Sequence, residues 1–433
     1  MKYNYKSTKT KKKIMIVGLG YVGLPLIKRF VDSKKYKLIG LDSDKKKIDL
    51  LNRNKSYISH IPDKQIIAVN KNCLLTTNYK FVRYSDVIIF TLPTPLTKNK
   101  DPDMSYIQSA LTKSKNFFKK GQLVILESTV YPGATIEYFK PIFNDRGLKI
   151  GKDIFLGFSP EREDPGNKNF DISNIVKLVS GYTPACLSKC NSLYKSIGVQ
   201  TKKVSSINTA EITKLYENIF RSVNIGLVNE MKLIADKMNL DIYEIIDAAK
   251  TKPFGFTPFY PGPGLGGHCI PIDPYLLTWK ARQYDLNTKF VELSADINNS
   301  MPSFVIDKIN NGLNILKKNF SNSKILIIGI SYKKNVDDMR ESPSIKIIEN
   351  LFNKGAKIVY HDDYIKNLKL KINKDKLKLG SIKLNKKIIS SVDLVCIVTD
   401  HDYIDYELIE KFSKIIVDCR GRFKNKKNLI LQG

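Results

Sequence analysis

From residue 14 onward, short apolar runs rich in β-branched residues alternate with longer stretches whose apolar positions recur every three or four residues. Runs that short, with no polar alternation, predict strands buried on both faces. The longer periodic stretches predict helices that return the chain to the next parallel strand. Strands are expected at 14–17, 38–41, 87–91, 123–126 and 154–156, with helices such as 24–33 and 104–119 as crossovers. Between about 207 and 239 the pattern becomes one long amphipathic helix without Pro, interrupted only by Gly226. A second series of strands, at 325–328, 358–360, 394–398 and 415–417, begins near Lys324. The pattern describes an α/β protein, two related halves joined by a helical middle.

A chain of 433 residues exceeds what one core usually organises, which fits that division. Its net charge of +30 suggests a polyanionic partner, but only 10 of the 72 basic residues are Arg, the side chain suited to bidentate phosphate and base contacts. Lysines spread along the whole chain read as a solvated surface, so no nucleic acid is expected; a positive field would still draw in small anions at low salt. The start, MKYNYKSTKTKKK, has charge but no apolar core to follow it and reads as a disordered arm rather than a signal peptide. No run approaches the roughly 18 apolar residues of a membrane span, so no membrane insertion and a cytoplasmic location are expected. The six cysteines lack paired CxxC spacing, and no metal site is expected.

Gly18-Leu19-Gly20-Tyr21-Val22-Gly23 follows the first strand and opens a helix, and Asp42 ends the next strand. The glycines allow a tight turn and close backbone approach to a pyrophosphate at a helix N-terminus, with Tyr21 and Val22 in the same turn. Asp42 can accept hydrogen bonds from an adenosine ribose. Strand, turn, helix and acid in register indicate a dinucleotide, and a carboxylate at position 42 favours NAD over its 2′-phosphorylated form.

The segment from Tyr260 to Pro274, YPGPGLGGHCIPIDP, is too rich in glycine for helix or strand; the amides of residues such as Gly264 and Gly267 can approach a ligand. Asp273 followed by Pro274 reads as a helix start, so Cys269 lies just before a helix N-terminus, where a thiol is more readily ionised. On the long helix, Glu211, Lys214, Asn218 and Arg221 share one face. Such a stripe is normally solvated, but a Lys and an Asn one turn apart could also stabilise an oxyanion.

GLGYVGL at 18–24, PTPL at 93–96, ESTVYPG at 127–133, SPERED at 159–164, AEITKLYEN at 210–218, GPGLGGHCIPID at 262–273 and SYKKNVDDMRESP at 331–343 together resemble the UDP-glucose/UDP-N-acetylhexosamine 6-dehydrogenase family, over nearly the whole chain. The resemblance implies two Rossmann-like domains with mostly parallel sheets joined by a long central helix, with NAD on the first and UDP largely on the second. The segments would be a basic arm at 1–12, an NAD-binding domain at 13–204, a helical dimerisation and catalytic-loop domain at 205–300 and a UDP-binding domain at 301–433. It also implies a four-electron oxidation: Cys269 captures the C6 aldehyde as a thiohemiacetal, a second hydride transfer gives a thioester, and water cleaves it.

Carried over by position, Lys214 and Asn218 would stabilise the oxyanion, Asp273 would orient or activate water, and Glu161 would assist hydrolysis. Thr129 would contact water or cofactor, and Lys47, Thr94 and Arg340 would serve the dinucleotide. Arg162, Tyr260, Gly264, Gly267, Lys333 and Arg420 would join Glu161, Lys214 and Asn218 around the UDP-sugar.

The UDP-glucose branch usually carries a second Glu four residues after the first, and Pro165 stands there; this and GGHCIPIDPYLLTWKAR resemble the N-acetylglucosamine branch. UDP-N-acetylglucosamine is therefore the expected substrate, ahead of UDP-N-acetylgalactosamine, UDP-N-acetylmannosamine and UDP-glucose. The product would feed surface-polysaccharide synthesis, and a homodimer is expected. Two rivals remain at this point: a two-electron hydroxy-acid dehydrogenase, which leaves Cys269 idle, and a non-catalytic dinucleotide sensor.

Overall fold

The computed structural model describes residues 11–58, 61–162, 174–267, 270–373, 375–423 and 430–433. Two expected features lie outside these residues: residues 1–10 of the basic arm, and the Cys269 thiol with its neighbour His268. So does Pro165, on which part of the substrate expectation rests.

The chain forms two compact units, residues 1–217 with 275–286, and residues 218–274 with 287–433. In the first, strands β1 (Lys13–Val17), β2 (Lys37–Leu41), β3 (Cys73–Thr76), β4 (Val87–Phe90), β5 (Leu123–Leu126), β6 (Phe155–Phe158), β7 (Lys177–Gly181) and β8 (Thr201–Lys203) build one sheet. Its order is β3-β2-β1-β4-β5-β6-β7-β8, and every pair is parallel except β6 with β7. The first six strands follow the dinucleotide-binding order, which reverses between β1 and β4. β1, β4 and β5 are apolar and buried because helices cover both faces. Helix Gly23–Ser33, for example, buries Leu24, Leu26, Ile27, Phe30 and Val31 against the sheet.

The second unit carries a five-stranded parallel sheet of β9 (Lys324–Ile328), β10 (Lys357–His361), β13 (Leu394–Ile397), β14 (Ile416–Asp418) and β15 (Ile430–Gln432), in the order β10-β9-β13-β14-β15. This is the other common doubly wound order, and its reversal falls between β9 and β13. An antiparallel hairpin of β11 (Asn367–Ile372) and β12 (Asp375–Gly380) interrupts the alternation. One apolar cluster centred on Ile325, Ile327 and Cys396 packs one face of the sheet, and a second around Leu326, Ile328 and Ile397 packs the other.

Helix Ile207–Lys237 is continuous for 31 residues, and the chain leaves the first unit for the second within it, after Glu217. The crossover expected at 104–119 is shorter, a helix at Ser105–Ser114 followed by a 3-10 turn. A second long helix, Lys289–Ile315, runs through Pro302.

Candidate active site

In the first unit each glycine of the fingerprint has a distinct mechanical role. Gly18 has φ +98°, a conformation L side chains rarely adopt, and a Cβ there would meet the Thr91 carbonyl oxygen at 2.6 Å. At Gly23 a Cβ would lie 1.8 Å from the Gly18 carbonyl oxygen, so this glycine lets the helix pack against the turn. Gly20 faces open space within 4 Å, room for a ligand to approach the backbone. Asp42 closes the turn: its carboxylate accepts the Leu19 N–H at 3.0 Å and the Asp44 N–H at 2.9 Å, and Lys47 lies 3.6 Å away. A carboxylate has lone pairs to spare for a ribose beyond these contacts. The cradle therefore fits a dinucleotide.

Thr94 and Thr129, expected from separate motifs, are brought together: the Thr94 hydroxyl donates to the Thr129 carbonyl oxygen at 2.6 Å. The Leu92 N–H donates to the Ser128 hydroxyl at 2.8 Å. These bonds tie the carboxyl ends of β4 and β5 beside the point of strand-order reversal, where open α/β sheets bind ligands.

Glu161 belongs to a network that sequence reasoning missed. Lys177, 4% exposed at the start of β7, places its ammonium 2.9 Å from Glu127 and 3.4 Å from Glu161. Burial alone would lower the lysine's pKa, but the two carboxylates outweigh it and raise it above the ordinary value. Burial pushes the Glu127 carboxyl up, although Lys177 and the Tyr194 hydroxyl both bond to it. The signal was a single Lys in the apolar run Val176 to Val179, since a buried charge requires a partner. Arg162, expected near the sugar, makes a two-pronged pair with Glu217 at 2.6 and 3.2 Å and donates to the Val176 carbonyl oxygen at 2.6 Å. In this unit it braces the SPE segment against the long helix.

The polar stripe on that helix is not a solvated face. Glu211, Lys214 and Asn218 are buried, and only Arg221 is exposed. Glu211 acts structurally. Helix Ala134–Asp145 begins after Gly133, which has no capping side chain, and the Glu211 carboxylate accepts the Gly133 N–H at 2.6 Å and the Thr135 N–H at 2.9 Å. Burial nevertheless pushes its carboxyl up to about 7. Lys214 follows one turn later.

In the second unit, Asn218 donates to Asp273 at 2.5 Å, and that carboxylate is 2% exposed. Helix Asp273–Arg282 starts at Asp273, as the Asp-Pro pair predicted. The glycine loop is anchored at both ends: the Gly262 N–H donates to Asn229 at 3.0 Å and the Gly267 N–H donates to the Arg340 carbonyl oxygen at 2.9 Å. Gly264 and Gly267 have φ +123° and +85°. A Cβ on Gly262 would sit 2.8 Å from an Nη of Arg420, and one on Gly267 3.0 Å from the Tyr332 ring, so side chains here would push both neighbours away. The loop thus meets two expected substrate segments, the one around Lys333 and the one around Arg420. Tyr260 is exposed, Arg340 pairs with Asp338 at 2.6 Å, and the Arg420 Nε donates to the Val398 carbonyl oxygen at 2.8 Å. Among the described residues no three acidic, His or Cys side chains gather as a metal site, and no helix is long and apolar enough to cross a membrane.

Comparison with known proteins agrees with this layout. The profiles of the UDP-glucose/GDP-mannose dehydrogenase family match in order: its NAD binding domain at residues 12–198, its central domain at 208–300 and its UDP binding domain at 326–425. The chain belongs to this family. It is a nucleotide-sugar 6-dehydrogenase, an oxidoreductase whose cofactor is NAD. A UDP-N-acetyl-D-glucosamine 6-dehydrogenase of Pseudomonas aeruginosa is 34% identical over 82% of this chain and 83% of its own length. Protein CapL of Staphylococcus aureus is 34% identical over 95% and 96%. The solved UDP-D-ManNAc dehydrogenase of Pyrococcus horikoshii superimposes with a TM-score of 0.86 at 30% identity, covering 97% of this chain and 98% of that one.

Proposed function

We propose that this dehydrogenase oxidises the C6 alcohol of a UDP-N-acetylhexosamine, UDP-N-acetylglucosamine first, to the uronate through a covalent intermediate on Cys269. The observation that carries this reading is the buried Asn218–Asp273 pair, because Asp273 follows Cys269 by four residues and Lys214 precedes Asn218 by one helical turn. A carboxylate held by an amide donor suits the orientation of water, and a Lys–Asn pair suits an oxyanion. Bound NAD would accept hydride; the chain's own groups would hold the sugar and manage its protons. Glu161, fixed by Lys177, would serve as the base for thioester hydrolysis, with Thr129 beside it in role.

The choice of sugar rests on the relatives named UDP-N-acetyl-D-glucosamine 6-dehydrogenase from Pseudomonas aeruginosa and Salmonella typhi, 34% and 33% identical. The Pyrococcus horikoshii structure supports a second reading, the same oxidation of UDP-N-acetylmannosamine. A homodimer is supported by the long helix, which exposes Ile212, Tyr216, Phe220, Leu227, Met231 and Ile234 along its length. A cytoplasmic location and a role in surface-polysaccharide synthesis complete the reading.

A panel of UDP-sugars with NADH readout tests the substrate, and Cys269→Ser tests the chemistry. The variant is expected to bind UDP-sugar and NAD but release no uronate, because an alkoxide is far harder to form than a thiolate at neutral pH. Uronate output at the wild-type rate would remove covalent catalysis.

A further inference from the structure

The loop that follows β9, residues 329–342, carries Lys333 and opens where the second sheet reverses strand order. Its backbone is held by two side chains from neighbouring strand ends. Asp362, just after β10, accepts the N–H groups of Ile330 at 2.7 Å and Ser331 at 3.0 Å and the Ser331 hydroxyl at 3.2 Å, all on Oδ2. Its Oδ1 accepts the N–H groups of Tyr364 at 2.8 Å and Ile365 at 3.1 Å. His401, beyond β13, places Nε2 3.1 Å from Asp362 Oδ2, and its Nδ1 accepts the Asn335 N–H at 2.9 Å. Both side chains are fully buried.

The tautomer follows from donor chemistry. A backbone N–H can only donate, so Nδ1 is bare and the ring proton sits on Nε2, where it donates to Asp362. Burial disfavours the Asp362 charge, but His401 and the N–H groups more than offset it and hold the carboxyl well below the usual range. The rings of Tyr364 and Tyr403 lie 5.2 and 5.3 Å from the imidazole, and the Thr399 hydroxyl donates to the Ser331 carbonyl oxygen at 2.6 Å. The pair thereby clamps the loop at 330–331 and again at 335, and Lys333 is suspended between the two clamps.

We propose that Asp362 and His401 are a positioning pair that fixes this loop so that Lys333 meets the diphosphate of the UDP-sugar, neither residue touching the ligand itself. The inference rests on the reading of Lys333 as a substrate ligand. A point charge on a long side chain binds a diphosphate best when its backbone is already ordered, because otherwise binding must supply the ordering.

The test is calorimetric titration of UDP into the full-length protein, for wild type, His401→Phe, His401→Asn, Lys333→Met and the Lys333→Met/His401→Phe double variant, with NAD affinity and thermal melting followed in each. His401→Phe should weaken UDP about tenfold, the equivalent of one lost charge-assisted contact, with NAD affinity unchanged. His401→Asn should recover part of the loss, since its amide oxygen can take the Asn335 N–H. In the Lys333→Met background the His401→Phe effect should disappear. Wild-type UDP affinity in His401→Phe, or its full effect persisting without Lys333, would overturn the proposal. Wild-type UDP affinity in Lys333→Met would show that Lys333 is not a ligand and would overturn the proposal at the reading it rests on, whereas wild-type affinity in His401→Phe beside a weakened Lys333→Met would overturn it at the clamp alone.

Discussion

Two buried lysines show how surroundings shift the same residue type in opposite directions. Lys177 is pinned between Glu127 and Glu161, and removing it takes a buried ammonium away from both carboxylates. Lys177→Met should therefore lower unfolding free energy by about 3–5 kcal/mol in urea titration, and adding Glu127→Gln should recover part of it. Lys232, 1% exposed on helix Ile207–Lys237, has no hydrogen-bond partner for its ammonium among the described residues, and burial lowers its pKa from 10.5 to about 8. Below pH 8 the charge is retained in both states and opposes folding by on the order of 3 kcal/mol. Between pH 8 and 10.5 the unfolded chain holds the proton and the folded one does not, so stability rises with pH across that window. Lys232→Met should accordingly be more stable than wild type at pH 7, with the advantage shrinking from pH 8 upward; a constant advantage would show that packing, not charge, is responsible. At this scale the three glycines and Asp42 were legible because each needs one residue type at one spacing. Lys177, Asp362 and His401 were not, since their partners lie 16 to 50 residues away for Lys177 and 31 to 66 for the clamp, distances no local pattern spans.

Among the elements, the alternating apolar runs and the long helix were readable from period alone. Its boundaries agree with the expectation at the start and fall two residues short at the end. Helix Lys289–Ile315 was hidden by Pro302 and by Asn298, Asn299, Asn310 and Asn311, which disfavour helix locally. Tertiary contacts override them: Asn298 accepts from Asn229 at 2.8 Å and donates to the Ser222 carbonyl oxygen at 3.1 Å. The β11–β12 hairpin had a period-two Leu–Lys pattern, but with one sparse apolar face it reads equally as a charged surface loop. The antiparallel pairing of β6 with β7 leaves no mark in composition. Helix Ile207–Lys237 also leaves an apolar stripe exposed from Ile212 to Ile234. Leu227→Glu should convert the proposed dimer to monomer in size-exclusion chromatography with light scattering while NAD still binds; an unchanged mass would contradict a dimer contact on this stripe.

For the whole molecule, two doubly wound sheets of different strand order follow the division of labour between dinucleotide and UDP that the family profiles describe. The net charge of +30 carries no fold information, yet it favours encounter with an anionic cofactor and an anionic substrate. What distinguishes the proposed chemistry from simple alcohol oxidation is electron count. The decisive measurement is the number of NADH molecules formed per UDP-sugar consumed in a reaction run to completion. Two NADH for each uronate is the predicted result; one NADH with an aldehyde as the end product would contradict the account.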